Sequence, residues 1–368
     1  MSSATGAGGS GTGGFGTGGF GAGGDGGTGG TSPGVVGCER LELHPDPLVI
    51  PGAYMGHVLA LDDQDLGVLY RASSDVPDKL WDTRSRRLLG PFDAWPPPLT
   101  DELIHGSHQL DWADLPHARS DGAFAYLGFE GYAVGSFYDA AVDIRAPEGQ
   151  GGAYPILEPS PGSGIFWSDE GTLSYYPTLD ATEPSMVSTL PTAVSKRAHG
   201  VGFDDLQLIL QDGNALYVNV GGWAPFATPP DLSNDGQVFP RPGGFYWRAH
   251  WSPTLHPYAG ATLPPPMSPL DGLTPGPGYQ VHAASWRNGA VIAGAGSIES
   301  EPGNRLMVAV TDEVNTTSTL HGFDELQICL NGVSVAASPD GDSVYVGYLR
   351  CQQNEAVYVI RRFDCVSE

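Results

Sequence analysis

Alternation of apolar and polar positions dominates the chain from Cys38 onward. Seven stretches share one pattern: an alternating or β-branched run, a turn rich in Asp, Asn, Gly, Ser or Pro, and a second such run. They are HVLALDDQDLGVLYRA (57–72), HARSDGAFAYLGF (117–129), GIFWSDEGTLSYY (164–176), LQLILQDGNALYVNV (206–220), FYWRAHWSPTLHPYAG (245–260), VHAASWRNGAVIAGA (281–295) and VSVAASPDGDSVYVGYL (333–349). The pattern predicts β-hairpins, because a period of two suits a strand and Gly or Asn supplies the positive φ of a tight turn.

The spacing of these hairpins predicts a repeat architecture. Their turns centre near positions 63, 121, 169, 212, 252, 288 and 340, so the mean interval is about 46 residues. A four-stranded propeller blade takes roughly 40–50 residues. We therefore predict an all-β fold, a β-propeller of seven blades over residues 38–368. The intervals are uneven, which leaves six or eight blades as alternatives.

One hairpin also carries a family resemblance. The phrase ASPDGDSVYVGY (337–348) resembles the Ser-Pro-Asp-Gly turn and strand that recur in β-propellers of the WD-like and TolB-like kinds. The resemblance is one blade long. It implies a fold and brings no activity with it.

Two near-identical phrases stand 120 positions apart. GFDDLQLIL (202–210) and GFDELQICL (322–330) each place a polar turn before an alternating run. We predict that they are corresponding strands of two blades. A rival alignment matches Asn331 and Gly332 with the QDG of 211–213 and makes PDGD (339–342) an additional hairpin.

The two ends of the repeat region are candidates for closing the ring. RLELHPDPLVI (40–50) and EAVYVIRRF (355–363) are the strands predicted to form this clasp. Four cysteines, Cys38, Cys329, Cys351 and Cys365, are disulfide candidates with three connectivities. A bridge from Cys38 to one of the other three would lock the clasp, Cys351 and Cys365 could pair across neighbouring strands, and Cys329 is alternatively a buried free thiol. No Cys-x-x-Cys spacing indicates zinc.

Charge restricts the partners. The formal net charge is −25 and lysine occurs only at Lys79 and Lys196, so no nucleic-acid partner is expected and acidic membrane surfaces are disfavoured. No run of about 18 apolar residues predicts a transmembrane segment. The composition leaves the oligomeric state open.

Residues 1–37 differ from the rest of the chain. They hold 18 glycines and predict a flexible tether. This segment resembles the Gly- and Thr-rich tether that follows the lipid-bearing cysteine in surface lipoproteins of myxobacteria and related bacteria. The resemblance implies an extracytoplasmic protein, secreted, periplasmic or surface-anchored, whose leader is not written in this sequence.

Metal-binding patterns are weak. The segment HGSHQLDWADLPH (105–117) offers His105, His108 and His117 as metal-ligand candidates, with two aspartates between them. Acidic turns near Asp62, Asp169 and Asp340 are candidates for structural calcium, although aspartate is also a common turn former. No cofactor is assigned from either set.

No catalytic residue is predicted. A nucleophile elbow and a phosphate-binding glycine loop are both absent from the sequence. The turns at 120–122 and 168–171 resemble the Asp-box of sialidases but lack its tryptophan. Trp223, Trp247, Trp251 and Trp286 are candidates for stacking on a ligand, or for packing between blades.

These observations favour a binding or scaffolding module that presents propeller loops to a protein or glycan at a cell surface. A propeller-type glycoside hydrolase or polysaccharide lyase is the enzymatic alternative. A subunit of a surface layer or fibre is the structural one.

Overall fold

A computed structural model gives the fold. It describes residues 38–61, 64–72, 84–103, 117–119, 121–128, 131–139, 143–145, 154–157, 164–169, 172–189, 197–201, 207–212, 215–219, 223–226, 236–241, 244–249, 252–259, 265–275, 281–287, 289–298, 305–312, 318–324, 328–352 and 355–366. The predicted tether, 1–37, lies outside the described residues. In the described part no helix is present, and hence none that could cross a membrane.

The described strands form seven antiparallel sheets, numbered here in chain order. The chain starts with β1 (Arg40–Leu43) and β2 (Leu48–Pro51). Sheet 1 then contains β3 (Ala53–Ala60), β4 (Asp65–Ala72), β5 (Arg84–Pro91) and β6 (Thr100–Leu103). Sheet 2 contains β7 (His117–Ala118), β8 (Ala123–Gly128), β9 (Gly131–Ser136) and β10 (Asp143–Arg145). Sheet 3 contains β11 (Tyr154–Leu157), β12 (Ile165–Asp169), β13 (Thr172–Tyr176) and β14 (Met186–Thr189).

The second half of the chain repeats the arrangement. Sheet 4 contains β15 (Arg197–Val201), β16 (Gln207–Asp212), β17 (Ala215–Asn219) and β18 (Trp223–Phe226). Sheet 5 contains β19 (Gly236–Arg241), β20 (Gly244–Ala249) and β21 (His256–Ala259). Sheet 6 contains β22 (Leu273–Pro275), β23 (Val281–Trp286), β24 (Gly289–Ile298), β25 (Arg305–Thr311) and β26 (Ser318–Asp324). Sheet 7 contains β27 (Ile328–Ala337), β28 (Ser343–Gln352) and β29 (Glu355–Val366).

The seven predicted hairpins are confirmed, one in each sheet. Those centred near 63, 121, 288 and 340 join the first and second main strands of their sheets, whereas those near 169, 212 and 252 join the second and third. The uneven intervals in the sequence have this cause. They measure distances between hairpins that are not equivalent.

The repeated phrase does not mark equivalent strands, so that prediction is wrong. In the first copy, Gln207–Asp212 is the second strand of sheet 4. In the second copy, GFD ends β26 and Ile328 begins β27, the first strand of sheet 7. The rival alignment also fails. Gly332 lies inside β27 at a register shift, with φ of +75°, and PDGD forms the ordinary β27–β28 turn.

Each sheet packs against the sheet that follows it, and the seventh packs against the first. β27 contacts β23 on one side and β3 on the other, and β11, β15, β19 and β23 contact one another in succession. Sheets 1 and 2 meet where Leu69 packs in one cluster with Phe124 and Phe137. The first main strand of each sheet, which in sheet 6 is β23, therefore lies innermost, and the core consists of apolar layers between neighbouring sheets.

The N-terminal strands complete sheet 7, as the sequence predicts. β1 pairs with β29 from Arg40↔Val366 to Leu43↔Phe363, and β2 pairs with β29 from Leu48↔Ile360 to Pro51↔Val357. Cys38 and Cys365 form a disulfide with a Cα–Cα distance of 5.3 Å. The alternative pairing of Cys351 with Cys365 is therefore excluded. β1, β2, β29 and this disulfide are called the clasp below.

Candidate functional site

The inner strands, the natural place for a central site, carry polar side chains that bond to the next sheet. In sheet 5, the side chain of Gln237 donates from Nε2 to the carbonyl of Ala283 at 2.6 Å, and its Oε1 accepts from the Ala283 N–H at 3.3 Å. Ala283 lies on β23 of sheet 6. One amide side chain thus satisfies both backbone groups of a residue on the neighbouring inner strand.

The same contact recurs in the next two sheets. Nδ1 of His282 accepts from the N–H of Val335 in sheet 7 at 2.7 Å. The hydroxyl of Ser334 then accepts from the N–H of Val58 in sheet 1 at 2.9 Å. Each of these side chains bonds to the backbone of the residue that follows the next member of the series, so the positions are equivalent. We call Gln237, His282, Ser334 and the equivalent His57 the inner belt.

His57 is the member of the belt whose imidazole is buried among apolar groups. Its side chain is 5% exposed, and it shares a strand face with Met55 and Leu61, which pack against Phe124 and Phe137 of sheet 2. Among the described residues neither ring nitrogen has a hydrogen-bond partner. Burial lowers the pKa of His57 to about 3, so the ring is neutral at neutral pH.

The stability of the protein should consequently fall on mild acidification. Between pH 6.5 and pH 3 the unfolded chain binds a proton at His57 and the folded chain does not, so the free energy of unfolding decreases as the pH drops. From pH 7 to pH 5 this group should contribute a loss of about 2 kcal/mol. Urea titrations of wild type and His57→Gln at both pH values measure it.

The matched control is His44→Gln, because His44 is only half-buried in the β1–β2 turn. His57→Gln should narrow the difference in unfolding free energy between the two pH values more than His44→Gln does. An equal pH dependence in wild type and His57→Gln would show that His57 is not held neutral by the fold.

Arg248 is the most deeply buried charged group described. It is fully buried, and its Nε and Nη2 donate to Oε1 of Gln237 at 3.2 and 3.0 Å. Its Nη1 donates to the carbonyls of Ala249 and Ser252 at 2.9 and 3.2 Å. Burial lowers the pKa of Arg248 to about 9, which still leaves the guanidinium charged at neutral pH. Its charge is solvated by amide and carbonyl oxygens.

Gln237 therefore bonds both to the Ala283 backbone and to the buried Arg248. Gln237→Leu should lower the free energy of unfolding by about 2–3 kcal/mol, because it removes partners from a buried charge and from the Ala283 backbone. Gln237→Glu is the matched variant, since its oxygens still accept from Arg248 and from the Ala283 N–H. Urea unfolding should rank the glutamate variant above the leucine variant. The reverse order would contradict the assigned bonds.

Two further buried arginines join neighbouring sheets. Arg87 binds Glu102 within sheet 1 and donates to the Ser136 carbonyl of sheet 2. Arg119 forms a two-point ion pair with Asp121 and reaches the Gly164 carbonyl of sheet 3 at 3.4 Å. These cations link sheets and do not converge with carboxylates into one cluster.

Two of the four predicted ligand-stacking tryptophans are described with their side chains, and both are buried. Trp247 is fully buried and lies beside His256 at a ring distance of 5.6 Å. Trp286 is 3% exposed and donates from Nε1 to the Gly341 carbonyl of sheet 7 at 2.9 Å. Neither ring presents a face to solvent, which fits the alternative that these tryptophans pack between sheets. Trp223 lies in β18, where its side chain is not described, and Trp251 lies outside the described residues.

The predicted metal ligands are not brought together in the part of the chain that the structure describes. His105 and His108 lie outside it, and His117 is placed only by its backbone in β7. In the turn before β28, Asp340 accepts from Ser338 and the Asp342 N–H, and Asp342 pairs with Arg287 at 2.8 Å. Here aspartate acts as a turn former. No group of three or more His, Cys, Asp or Glu side chains converges among described residues.

Sequence reasoning missed the inner belt and Arg248. Part of this pattern can be seen in the sequence. HVLALDD (57–63) and HGVGFDD (199–205) each place a histidine five residues before an Asp-Asp pair. Gln237 and Ser334 fill the same position with other residue types. The pattern is therefore one of hydrogen-bonding capacity and not of residue identity.

Comparisons with known proteins bear on the fold alone. No protein-family model matches the chain, and no curated protein matches its sequence. Among solved structures, the extracellular domain of a hybrid two-component system from B. thetaiotaomicron is similar with a TM-score of 0.50 at 7% identity, over 86% of this chain and 42% of that one. This chain thus spans less than half the length of that protein. The similarity shows a shared fold and carries no function.

Two further similar structures are of NanB. The NanB sialidase from Streptococcus pneumoniae matches with a TM-score of 0.44 at 10% identity, over 88% of this chain and 70% of that one. NanB with optactamide matches with a TM-score of 0.45 at 9% identity, over 86% and 70% of the two chains.

Proposed function

We propose that the protein is a seven-bladed β-propeller that works outside the cytoplasm as a binding or scaffolding module. Seven successive sheets, each packed on the next, and an N-terminal strand that completes the last sheet support the propeller. Its partner is a protein or a glycan at a cell surface. Residues 1–37 are the tether that holds it there.

The composition and hydrogen bonds of the inner strands are the observation that supports the proposed function. A propeller hydrolase that works at its centre needs paired carboxylates or a metal there. The described inner strands, β3, β7, β11, β15, β19, β23 and β27, contain no Asp or Glu. Three of their polar side chains, Gln237, His282 and Ser334, bond to the neighbouring sheet instead. This centre stabilises a rigid scaffold, and rigid scaffolds present their connecting loops for recognition.

The disulfide supports the location. Disulfides persist in oxidising compartments and are rare in the cytosol. Cys38 is 7% exposed and lies in the apolar core between sheets 6 and 7, with Cys365 packed against the same core. A covalent bond placed there belongs to the folded architecture and not to an exposed redox site.

Binding and turnover should be measured on the same preparation. The full chain is applied to an array of bacterial and host surface glycans, and each bound glycan is then incubated with the protein while new reducing ends are assayed. Saturable binding without new reducing ends is the expected result. Release of reducing ends or unsaturated sugars would overturn the proposal in favour of a hydrolase or a lyase.

A further inference from the structure

The disulfide sits at the point where the N-terminal segment joins the fold. Residues 1–37 lead directly into Cys38, and Cys38 is bonded to Cys365 on β29. The clasp strand β1 follows two residues later, at Arg40. Any tension applied through the N-terminal segment therefore reaches the disulfide before it reaches the hydrogen bonds of β1.

Without the disulfide, the clasp is poorly placed to resist such tension. β1 and β2 form the outer edge of sheet 7, and among the described strands each pairs with β29 alone. The first bond from the N-terminal side is donated by the Glu39 N–H to the Val366 carbonyl at 3.2 Å. A force at this end of the edge strand loads the hydrogen bonds of β1 from that end, and only the packing of Leu41 and Leu43 on the core between sheets 6 and 7 adds to them among the described contacts.

With the disulfide, the same force enters an interior strand. β29 pairs with β28 over ten residue pairs, from Ser343↔Asp364 to Gln352↔Glu355, and with β1 and β2 on its other edge. Its side chains also pack on the neighbouring sheet, where the ring of Tyr358 lies against Gly56 of β3. Moving β29 requires many of these contacts to break together.

We propose that the Cys38–Cys365 bond is a force-transmitting anchor. Tension on the N-terminal segment crosses the S–S bond into β29, and β1 and β2 stay paired because they carry none of it. The anchor rests on the proposed function in one respect, because a module held at a surface experiences such tension. The mechanical property belongs to the fold and is independent of any partner.

Single-molecule stretching of the full chain tests the anchor. One handle is attached at the N-terminus, and the other to a peptide tag inserted between Glu183 and Pro184, both exposed in the turn before β14. Wild type should extend in no step before the main unfolding event. Cys38→Ser/Cys365→Ser should first extend by about 50 Å at low force, as residues 38–51 peel away at ~3.5 Å per residue.

Changing the pulling direction supplies the control. With the first handle moved to the C-terminus, force enters β29 directly, so wild type and the double variant should both lack the early step. Should the variant fail to fold, wild type folded in oxidising buffer and then stretched with and without dithiothreitol gives the same comparison. An early step in oxidised wild type, or none after loss of the bond, would overturn the anchor. Absence of glycan or protein binding would overturn only the proposed function.

Discussion

Tyr358→Ala should lower the free energy of unfolding by about 3–5 kcal/mol, the largest effect expected of a single side chain in this fold. Tyr358 is fully buried on β29 and belongs to the core between sheets 7 and 1. A Cβ built on Gly56 would lie 2.8 Å from its ring, and one on Gly347 would lie 2.0 Å from its hydroxyl oxygen. Two glycines thus make room for one ring, and alanine would leave a cavity between the first and last sheets.

Tyr358→Phe is the matched variant, because it retains the ring and removes only the hydroxyl. It should cost no more than about 1 kcal/mol. Urea unfolding followed by tryptophan fluorescence measures both variants. Equal losses in the two would place the stabilisation in the hydroxyl and contradict a packing role for the ring.

Removing the disulfide should have the second large effect. Cys38→Ser/Cys365→Ser should lose about 2–5 kcal/mol, because the bond joins residues 327 positions apart and its loss frees the unfolded chain from a long closed loop. The clasp strands remain, held by their hydrogen bonds and by Trp95, whose Nε1 donates to the Asp46 carbonyl at 2.6 Å. The variant should therefore fold but melt at a lower temperature.

Non-additivity distinguishes this bond from two independent thiols. Cys38→Ser and Cys365→Ser should each cost as much as the double variant, since either one breaks the same bond. Thermal unfolding of the three variants under non-reducing conditions provides the comparison. Losses that simply add, or a single variant with wild-type stability, would contradict the pairing.

Local pattern predicted the strands well because a hairpin is a local structure. Alternation around a Gly- or Asp-containing turn predicted a hairpin in each of the seven sheets. The same reasoning predicted the pairing of 40–50 with 355–363, since the ends of a repeated array need partners. Similar sequences did not identify equivalent positions: the run after the first GFD contains the second strand of sheet 4, whereas GFD at 322–324 ends a strand of sheet 6.

The contacts between sheets were not predictable from the sequence. Gln237 looks like an ordinary exposed residue of a strand, and only the position of Ala283 on the next inner strand gives it two backbone partners. Likewise, Trp286 looks like a binding residue when only its local sequence is considered. Its indole nitrogen finds the Gly341 carbonyl across a sheet boundary that no local pattern marks. Both side chains find their hydrogen-bond partners about 50 positions further along the chain.

Peptide mapping of the full chain under non-reducing conditions tests the central claim, that the N-terminal strand closes the last sheet. A protease digest analysed by mass spectrometry should contain the peptide of Cys38 joined to the peptide of Cys365, and reduction should separate the two. A peptide in which Cys365 is joined to Cys351, or in which Cys38 carries a free thiol, would contradict the clasp.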